Sequence, residues 1–221
     1  MGRKNISKEK IIQAFLSSAF EKSAGATSLS DIAEILEIKK ASLYNHFESR
    51  DSMYEATIYH CEEQIEKISF LPKNALENIK TNKSTASQVF KKFITRFFEL
   101  YDCEPLFQIY TFVHTEQYFN TKVLQIVEKE IKKITEDVNL ILKTLMQAKK
   151  IKAIKEKELK DLSNSVAAAI FWQRDFYIAT KKETVRRNPD CSAGSLFALP
   201  PDSQSLNNAV KLVENLIKLT E

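Results

Sequence analysis

Glycine, proline and cysteine are all scarce in this chain of 221 residues, which contains only 3 Gly, 5 Pro and 3 Cys. So few turn-forming residues argue against a many-turned β-sandwich or barrel, and the isolated glycines cannot build a phosphate-binding loop. Cys61, Cys103 and Cys191 are odd in number and far apart, which argues against a disulfide framework or a zinc site. We therefore expect reduced thiols in a cytoplasmic protein, with no metal and no cofactor.

A long apolar run is also missing. Nothing approaches the roughly 18 uninterrupted apolar residues of a membrane-spanning helix, and the start of the chain has no apolar signal-peptide stretch. The net charge of +4 is a mild excess, which permits an acidic partner without requiring one. Hydrophobic residues make up 43% of the chain, enough for a sizeable core. These features predict a globular protein that neither crosses nor enters a membrane.

Helical periodicity dominates the sequence, and no window sustains the alternation of a strand, so we predict an all-α protein. Ser7 and Ser49 are placed as N-caps, and Ser28 with Asp31 forms a capping box. Pro72 is expected to stop the helix that Ser49 opens. The first predicted helices cover residues 7–21, a short stretch after Ser28, 40–45 and 49–70.

The second part of the sequence predicts longer helices. After a polar connection at 73–84, with at most a short helix at 75–80, they run from about 89 to 103, from 105 to about 120, from 123 to 145, from 156 to 182 and from 206 to 217. A loop with Pro189, Gly194 and Pro200-Pro201 precedes the last one. The expected inward residues of the two longest helices are Val123, Val127, Ile131, Ile134, Val138, Ile141 and Leu145, and then Val166, Ala169, Ile170, Phe176 and Tyr177.

The most informative segment is 25–51, GATSLSDIAEILEIKKASLYNHFESRD. Two short helices joined by a tight turn form a helix-turn-helix, and the second helix is narrow enough to enter the major groove of DNA. On that helix, Lys40 and Ser42 offer groups that can hydrogen-bond base edges. A DNA-binding head is therefore the first functional hypothesis.

This segment resembles the DNA-binding domain of the TetR family of bacterial transcriptional regulators. The resemblance covers residues 7–60 and implies a three-helix head at 1–48, a connecting helix at 49–71 and a helical effector-binding and dimerisation domain at 72–221. The matching features, in order and at the family's spacing, are Thr27-Ser28, Asp31-Ile32-Ala33, Leu43-Tyr44, Phe47 and Arg50-Asp51.

The resemblance implies a regulator, expected to be a repressor, that binds palindromic double-stranded operator DNA as a homodimer and is released by a small-molecule effector. Lys40 and Ser42 are expected to read bases, whereas Tyr44, His46 and Arg50 hold phosphates. Phe47 is expected to plug the core under the helix. The full set of expected DNA-binding residues is Thr27, Ser28, Lys39, Lys40, Ala41, Ser42, Tyr44, Asn45, His46 and Arg50.

Three residues depart from the family pattern. Glu37 stands in the turn where the family usually has Gly, and a positive φ there would cost on the order of 1 kcal/mol. Lys39 replaces the usual capping Ser or Thr but adds a cation beside DNA. Ser30 stands where a basic residue is common. These departures bear on sequence preference rather than on DNA binding itself.

Aromatic residues in the second half supply material for an effector cavity, although aromatic stripes at helical spacing are also ordinary core. Ala167, Ala168 and Ala169 allow close helix packing, either between two copies or within one chain. No triad-like motif appears, so we expect no catalytic residue and no enzyme. The alternative function is a helical protein-interaction module whose helix-turn-helix is structural only. The expected pocket residues are Phe97, Tyr101, Phe107, Tyr110, His114, Tyr118, Trp172, Gln173 and Phe176.

Overall fold

The structure is a computed structural model that describes residues 6–188 and 203–218. Within these ranges every regular element is helical and no strand occurs, which confirms the all-α prediction. None of the described helices is long and apolar enough to span a membrane. The predicted loop with Pro189, Gly194 and Pro200-Pro201 lies outside the described residues, as does Cys191. In chain order the elements are α1 (Lys8–Lys22), α2 (Leu29–Ile35), a 3₁₀ helix (Lys40–Asn45), α3 (Arg50–Glu66), α4 (Ala75–Thr81), α5 (Ala86–Leu100), α6 (Leu106–Glu116), α7 (Thr121–Gln147), α8 (Glu156–Arg187) and α9 (Ser203–Lys218).

The helix starts use the predicted caps. The side chain of Ser7 accepts a hydrogen bond from a backbone N–H in the first turn of α1. Ser28 and Asp31 close a reciprocal capping box at α2, and Ser49 does the same at α3. Because these contacts satisfy backbone donors that a helix start leaves unpaired, the local sequence fixes where each helix begins.

Helix α3 ends at Glu66, earlier than the predicted end near residue 70. The chain then leaves the helix: the hydroxyl of Ser69 donates to the carbonyl oxygen of Leu71 at 2.8 Å, and the N–H of Leu71 donates to Asp137 at 3.2 Å. These hydrogen bonds take the place of the backbone hydrogen bonds that would continue the helix. Pro72 therefore lies beyond the helix instead of stopping it.

The turn between α2 and the 3₁₀ helix contains the strained residue that the sequence suggested. Glu37 has φ 54°, in the left-handed region that favours glycine. Its N–H donates to the carbonyl of Glu34 at 3.0 Å, and the N–H of Ile38 donates to Ala33 at 2.9 Å. A side chain in this conformation costs about 1 kcal/mol, which the hydrogen bonds of the turn and the packing around it must offset.

Contacts divide the chain into two compact units. The first comprises Met1–Lys67 and Pro105–Val127, and the second comprises Ile68–Glu104 and Glu128–Glu221. Helix α6 and the beginning of α7 are thus grouped with the N-terminal helices. The domain boundaries expected at residues 48 and 71 divide the chain by function and not by contacts, and they stay a prediction.

Aromatic packing holds three helices of the first unit together. Phe15 of α1, Tyr54 of α3 and Phe112 of α6 form a cluster with ring centroids 6.1 to 6.4 Å apart. The hydroxyl of Tyr54 donates to Glu116 at 2.8 Å, and burial, followed by this carboxylate, raises the pKa of Tyr54 to about 12. Helix α3 is therefore joined to α6 by both an apolar and a polar contact.

A buried ion pair occupies the second unit. Arg174 is fully buried, and its guanidinium donates to both carboxylate oxygens of Glu130, at 2.8 and 3.2 Å. Tyr101 donates to the same carboxylate at 2.8 Å. The guanidinium also lies 4.7 to 4.8 Å from the ring centres of Phe97, Tyr101 and Phe171. The cluster joins α5, α7 and α8 around one buried ion pair.

Two residues predicted to face inward do not. On α7, Ile131 is 43% exposed, and the adjacent Glu130 takes the inward position because its partner Arg174 lies there. On α8, Phe176 is 60% exposed, whereas its neighbour Tyr177 is buried as predicted and its hydroxyl donates to Asp102. The other predicted inward residues of both helices are buried.

Removing Arg174 alone should strongly destabilise the second unit, because Glu130 would be left as an uncompensated buried charge. We expect Arg174→Met to lower the free energy of unfolding by about 3 to 5 kcal/mol, and Arg174→Met combined with Glu130→Met to recover much of that loss. Urea unfolding followed by circular dichroism measures both. The control is the exposed pair of Arg186 and Glu183, where Arg186→Gln should leave the unfolding midpoint nearly unchanged. A single Arg174→Met variant as stable as the wild type would contradict the prediction.

Candidate nucleic-acid interface

The candidate site is built on the helix-turn-helix of the first unit. Helix α2 packs on both α1 and the 3₁₀ helix. Ile32 and Leu43 are fully buried and Phe47 is 8% exposed. The second helix is a 3₁₀ helix rather than an α-helix; it has six residues, and Lys39 at its N-cap makes no side-chain cap. Such short pieces depend on the side chains beneath them for their position.

The outer side of this short helix carries most of the expected DNA-binding residues. Tyr44 is 52% exposed, and the half-buried members are Ser42 and His46. Because Leu43 points into the core, the side chains around it are presented to solvent together. The exposed members are Lys39, Lys40, Ala41, Tyr44 and Asn45. The structure thus brings seven of the expected residues onto one short segment.

Thr27 and Ser28 have different environments although they are neighbours. Thr27 is only 2% exposed, and its hydroxyl donates to the carbonyl of Ser23 at 2.9 Å, so its side chain holds the turn before α2. Ser28 is exposed at the N-terminus of α2, where a helix favours an anion. The side chain of Thr27 thus has an internal role, whereas the expected phosphate contact of Ser28 stays a prediction.

Asp31 supports the same helix start. Its carboxylate accepts from the N–H and hydroxyl of Ser28 at 2.7 and 2.8 Å, and it forms an ion pair with Lys22 at 2.6 Å. The contact with Lys22, followed by the hydrogen bonds from Ser28, lowers the pKa of Asp31 to about 2. The carboxylate therefore stays charged through most of the acid range.

Arg50 is held inside the head. Its Nε donates to the carbonyl oxygen of Thr27 at 2.8 Å, and a terminal nitrogen donates to the carbonyl oxygen of Ala24. The guanidinium also lies 5.5 Å from the ring centre of Phe15. No local sequence pattern indicates these backbone contacts, because the two carbonyls lie 23 and 26 residues away in the chain. The expected contact of Arg50 with phosphate stays a prediction.

The expected pocket residues are divided between the two units. In the second unit the rings of Phe97 and Tyr101 meet edge to face at 5.4 Å, within the cluster around Arg174. In the first unit Tyr110 and His114 stack at 3.9 Å. The members by unit are Phe107, Tyr110, His114 and Tyr118 in the first, and Phe97, Tyr101, Trp172, Gln173 and Phe176 in the second. Tyr118 is 80% exposed, Trp172 66% and Phe176 60%, so a shared effector pocket stays a prediction.

Metal binding has no support in the described part of the chain. Within 6–188 and 203–218, no group of three or more His, Cys, Asp or Glu side chains is arranged to hold a metal ion. His46 stands at the end of the 3₁₀ helix, where it borders the exposed face. The site therefore offers cations, hydroxyls and amides, which is the chemistry that binds a polyanion.

The fold and this site define a helix-turn-helix protein with an all-helical remainder. Residues 11–57 match the family model described as bacterial regulatory proteins, tetR family. Over 67 residues the chain is 40% identical to the biofilm operon icaADBC HTH-type negative transcriptional regulator IcaR of Staphylococcus aureus strain Newman, a match that covers 30% of this chain and 36% of IcaR. The corresponding Staphylococcus epidermidis protein is 35% identical over 71 residues, covering 32% and 37%. The chain thus spans about a third of the length of the curated relatives it matches.

Solved structures extend the likeness to the whole fold. A TetR transcriptional regulator from Legionella pneumophila aligns with TM-score 0.54 and 18% identity, over 98% of this chain and 100% of that one. The regulator FadR from Bacillus subtilis, in complex with stearoyl-CoA, aligns with TM-score 0.55 and 17% identity, over 96% and 98%. At such low sequence identity, these two likenesses show the fold alone. The resemblance to the TetR family is confirmed, since residues 11–57 match the family model and the fold is similar to that of solved TetR regulators.

The Asp31 cap should make the head sensitive to acid. Because the folded-state pKa is about 2 and the ordinary value is 3.8, the stabilisation by this carboxylate is complete above about pH 5 and disappears as the pH falls towards 2. We expect Asp31→Asn to melt below the wild type at pH 7 and the two melting temperatures to converge near pH 2. Calorimetry across this range measures the difference. A gap that is the same at every pH would contradict the assignment.

Proposed function

We propose that this protein is a TetR-type transcriptional repressor that binds palindromic operator DNA as a homodimer and is released by a small-molecule effector. The observation that carries the proposal is the outer face of the 3₁₀ helix, where Lys39, Lys40, Tyr44 and Asn45 are exposed above the buried Leu43. An exposed cationic and hydrogen-bonding face on a helix-turn-helix is suited to the major groove.

Within this site we assign two kinds of contact. Lys40 and Ser42 read base edges, while Lys39, Tyr44 and His46 hold phosphates on either side. Base contacts would set the sequence preference, and phosphate contacts would supply most of the affinity.

Repression is supported by a curated relative. IcaR, which is 40% identical to this chain over 67 residues, is described as a negative transcriptional regulator. A protein that occupies a promoter-proximal site excludes polymerase without needing any catalytic group. We infer that it acts in the cytoplasm, where reduced cysteines and bacterial DNA are found.

Dimer formation is supported by an apolar stripe on α8. Ala168, Trp172, Phe176 and Ala179 are all exposed and follow one another at helical spacing on one side of the helix. Large exposed aromatic side chains in a row are typical of a protein interface. A second copy of α8 is the proposed occupant, because a single recognition helix reads too few bases and two-fold symmetry doubles the site.

For the effector we propose a small, largely apolar compound that binds among the aromatic helices. The rings of Phe97 and Tyr101 would supply apolar contacts, and FadR, which has a similar fold, was solved in complex with stearoyl-CoA. An effector releases DNA only if it binds the released form better, by several kcal/mol for a nearly complete switch. Stearoyl-CoA and free fatty acids are the first probes to test for release of bound duplex.

A binding assay tests the proposal directly. Duplexes selected from a random pool by the purified chain should contain a two-fold symmetric sequence, and their affinity should fall steeply with salt because bound counterions are released. Selection of no common sequence, together with salt-insensitive capture of a protein partner, would favour a helical interaction module instead.

Residues of the 3₁₀ helix should separate into two groups in that assay. Lys40→Ala and Ser42→Ala are expected to change the preference between operator variants by about 1 to 3 kcal/mol, whereas Lys39→Ala should weaken binding to all sequences and reduce the salt slope by about one. Gel shifts on a panel of single-base variants at several salt concentrations measure both. Equal losses on every variant for all three proteins would contradict the division.

The stripe on α8 predicts an oligomeric effect. Trp172→Glu should convert a dimer into a monomer in sedimentation velocity at micromolar concentration, since a buried charge opposes the apolar interface. Tyr118→Glu is the matched control, because Tyr118 is a still more exposed aromatic residue in the other unit. A wild-type monomer, or equal effects of the two variants, would remove α8 as the interface.

A further inference from the structure

The short turn that leads into α2 is held by several contacts. Ser23 has φ 84°, and Ala24 is 1% exposed. The hydroxyl and N–H of Thr27 bond to the carbonyls of Ser23 and Ala24, at 2.9 and 3.2 Å. The next residue, Ser28, is the N-cap of α2. Any shift of this turn therefore shifts the N-terminus of α2.

One side chain from α3 joins this turn to the rest of the head. Arg50 is the first residue of α3, and the capping box of Ser49 and Ser52 fixes its backbone. Its guanidinium bonds the carbonyl of Thr27 at 2.8 Å and that of Ala24, and it lies over the ring of Phe15 in α1. A single planar group thus connects α3, α1 and the turn before α2.

The contacts use the features that distinguish arginine from lysine. Two carbonyl oxygens in different residues are reached from two nitrogens of one rigid fork, and the guanidinium lies over an aromatic ring. Only 30% of the Arg50 side chain is exposed, and Asp51 lies 3.5 Å from its other terminal nitrogen. The guanidinium is thereby directed inward, onto the protein's own backbone.

We propose that Arg50 is a positioning residue for DNA binding, which fixes the turn before α2 against α1 and α3 and so holds α2 in the place from which it supports the 3₁₀ helix. This inference rests on the proposed DNA-binding function and replaces the expected phosphate contact of Arg50 with an internal one.

Three variants separate the two roles. Arg50→Lys keeps the charge but loses the fork, Arg50→Gln loses both, and Lys39→Ala removes one exposed cation of the same head. Each is assayed at several salt concentrations against the operator duplex selected by the wild type. Melting curves establish that each protein is folded at the assay temperature.

A positioning role predicts that Arg50→Lys and Arg50→Gln lose affinity alike, by roughly tenfold or more, with little change in the salt slope. Lys39→Ala should lower the slope by about one. Ethylation interference should weaken at all the phosphates that the wild type contacts in both Arg50 variants, instead of being lost at a single phosphate. Wild-type affinity in Arg50→Lys, with a slope reduced by about one in Arg50→Gln, would overturn the proposal.

A measurement on the wild type covers the case in which the variants do not fold. The Nε–H of Arg50 should give a slowly exchanging NMR signal in the free protein, because it is bonded to Thr27. Its shift should persist when operator duplex is added. A fast-exchanging signal in the free protein would overturn the inference, as would a large change in its chemical shift, typical of a new bond to phosphate, when duplex is added. The free-protein result is independent of DNA binding, so a slow signal in a chain that binds no duplex would reject the proposed function while leaving the internal contact intact.

Discussion

The burial of Leu43 and Phe47 is the contact on which the rest of the DNA-binding head depends. A 3₁₀ helix of six residues has too few internal hydrogen bonds to be stable by itself, and this one lacks a side-chain cap at Lys39. Its position is therefore determined by the two apolar side chains beneath it. Once they are buried, the direction of Lys40 and Tyr44 follows from the geometry of the helix.

Polar contacts then fix the elements around that short helix. Asp31 holds the start of α2, and Arg50 holds the turn before it. On the other side of the aromatic cluster, Tyr54 is bonded to Glu116 of α6. Each contact joins residues from different elements, so the head is set by a small number of directional bonds laid over a nonspecific apolar core. Apolar packing provides the free energy, and these bonds select one arrangement.

Local signals in the sequence were enough to predict the helices, the caps at Ser7, Ser28 and Ser49, and the strained turn at Glu37. These features depend on residues within four positions of each other. Contacts between distant residues had no such signal. Glu130 and Arg174 are 44 residues apart, and hydrophobic periodicity placed Ile131 inward because it assigns apolar residues to the core and cannot anticipate a paired charge. The backbone partners of Arg50, 23 and 26 residues away, likewise leave no local pattern in the sequence.

The exposed side of the 3₁₀ helix has a consequence for how such proteins diverge. Lys39, Lys40, Ala41 and Asn45 all lie outside the core, so exchanging them removes little of the packing that holds the helix in place. Substitution at these positions is therefore nearly neutral for folding while it alters what the surface recognises. Leu43 lies among them but does not tolerate such exchange, because a smaller side chain there would leave a cavity under the 3₁₀ helix. Single substitutions at the exposed positions can therefore change what this surface binds during evolution, whereas Leu43 has to stay a large apolar residue.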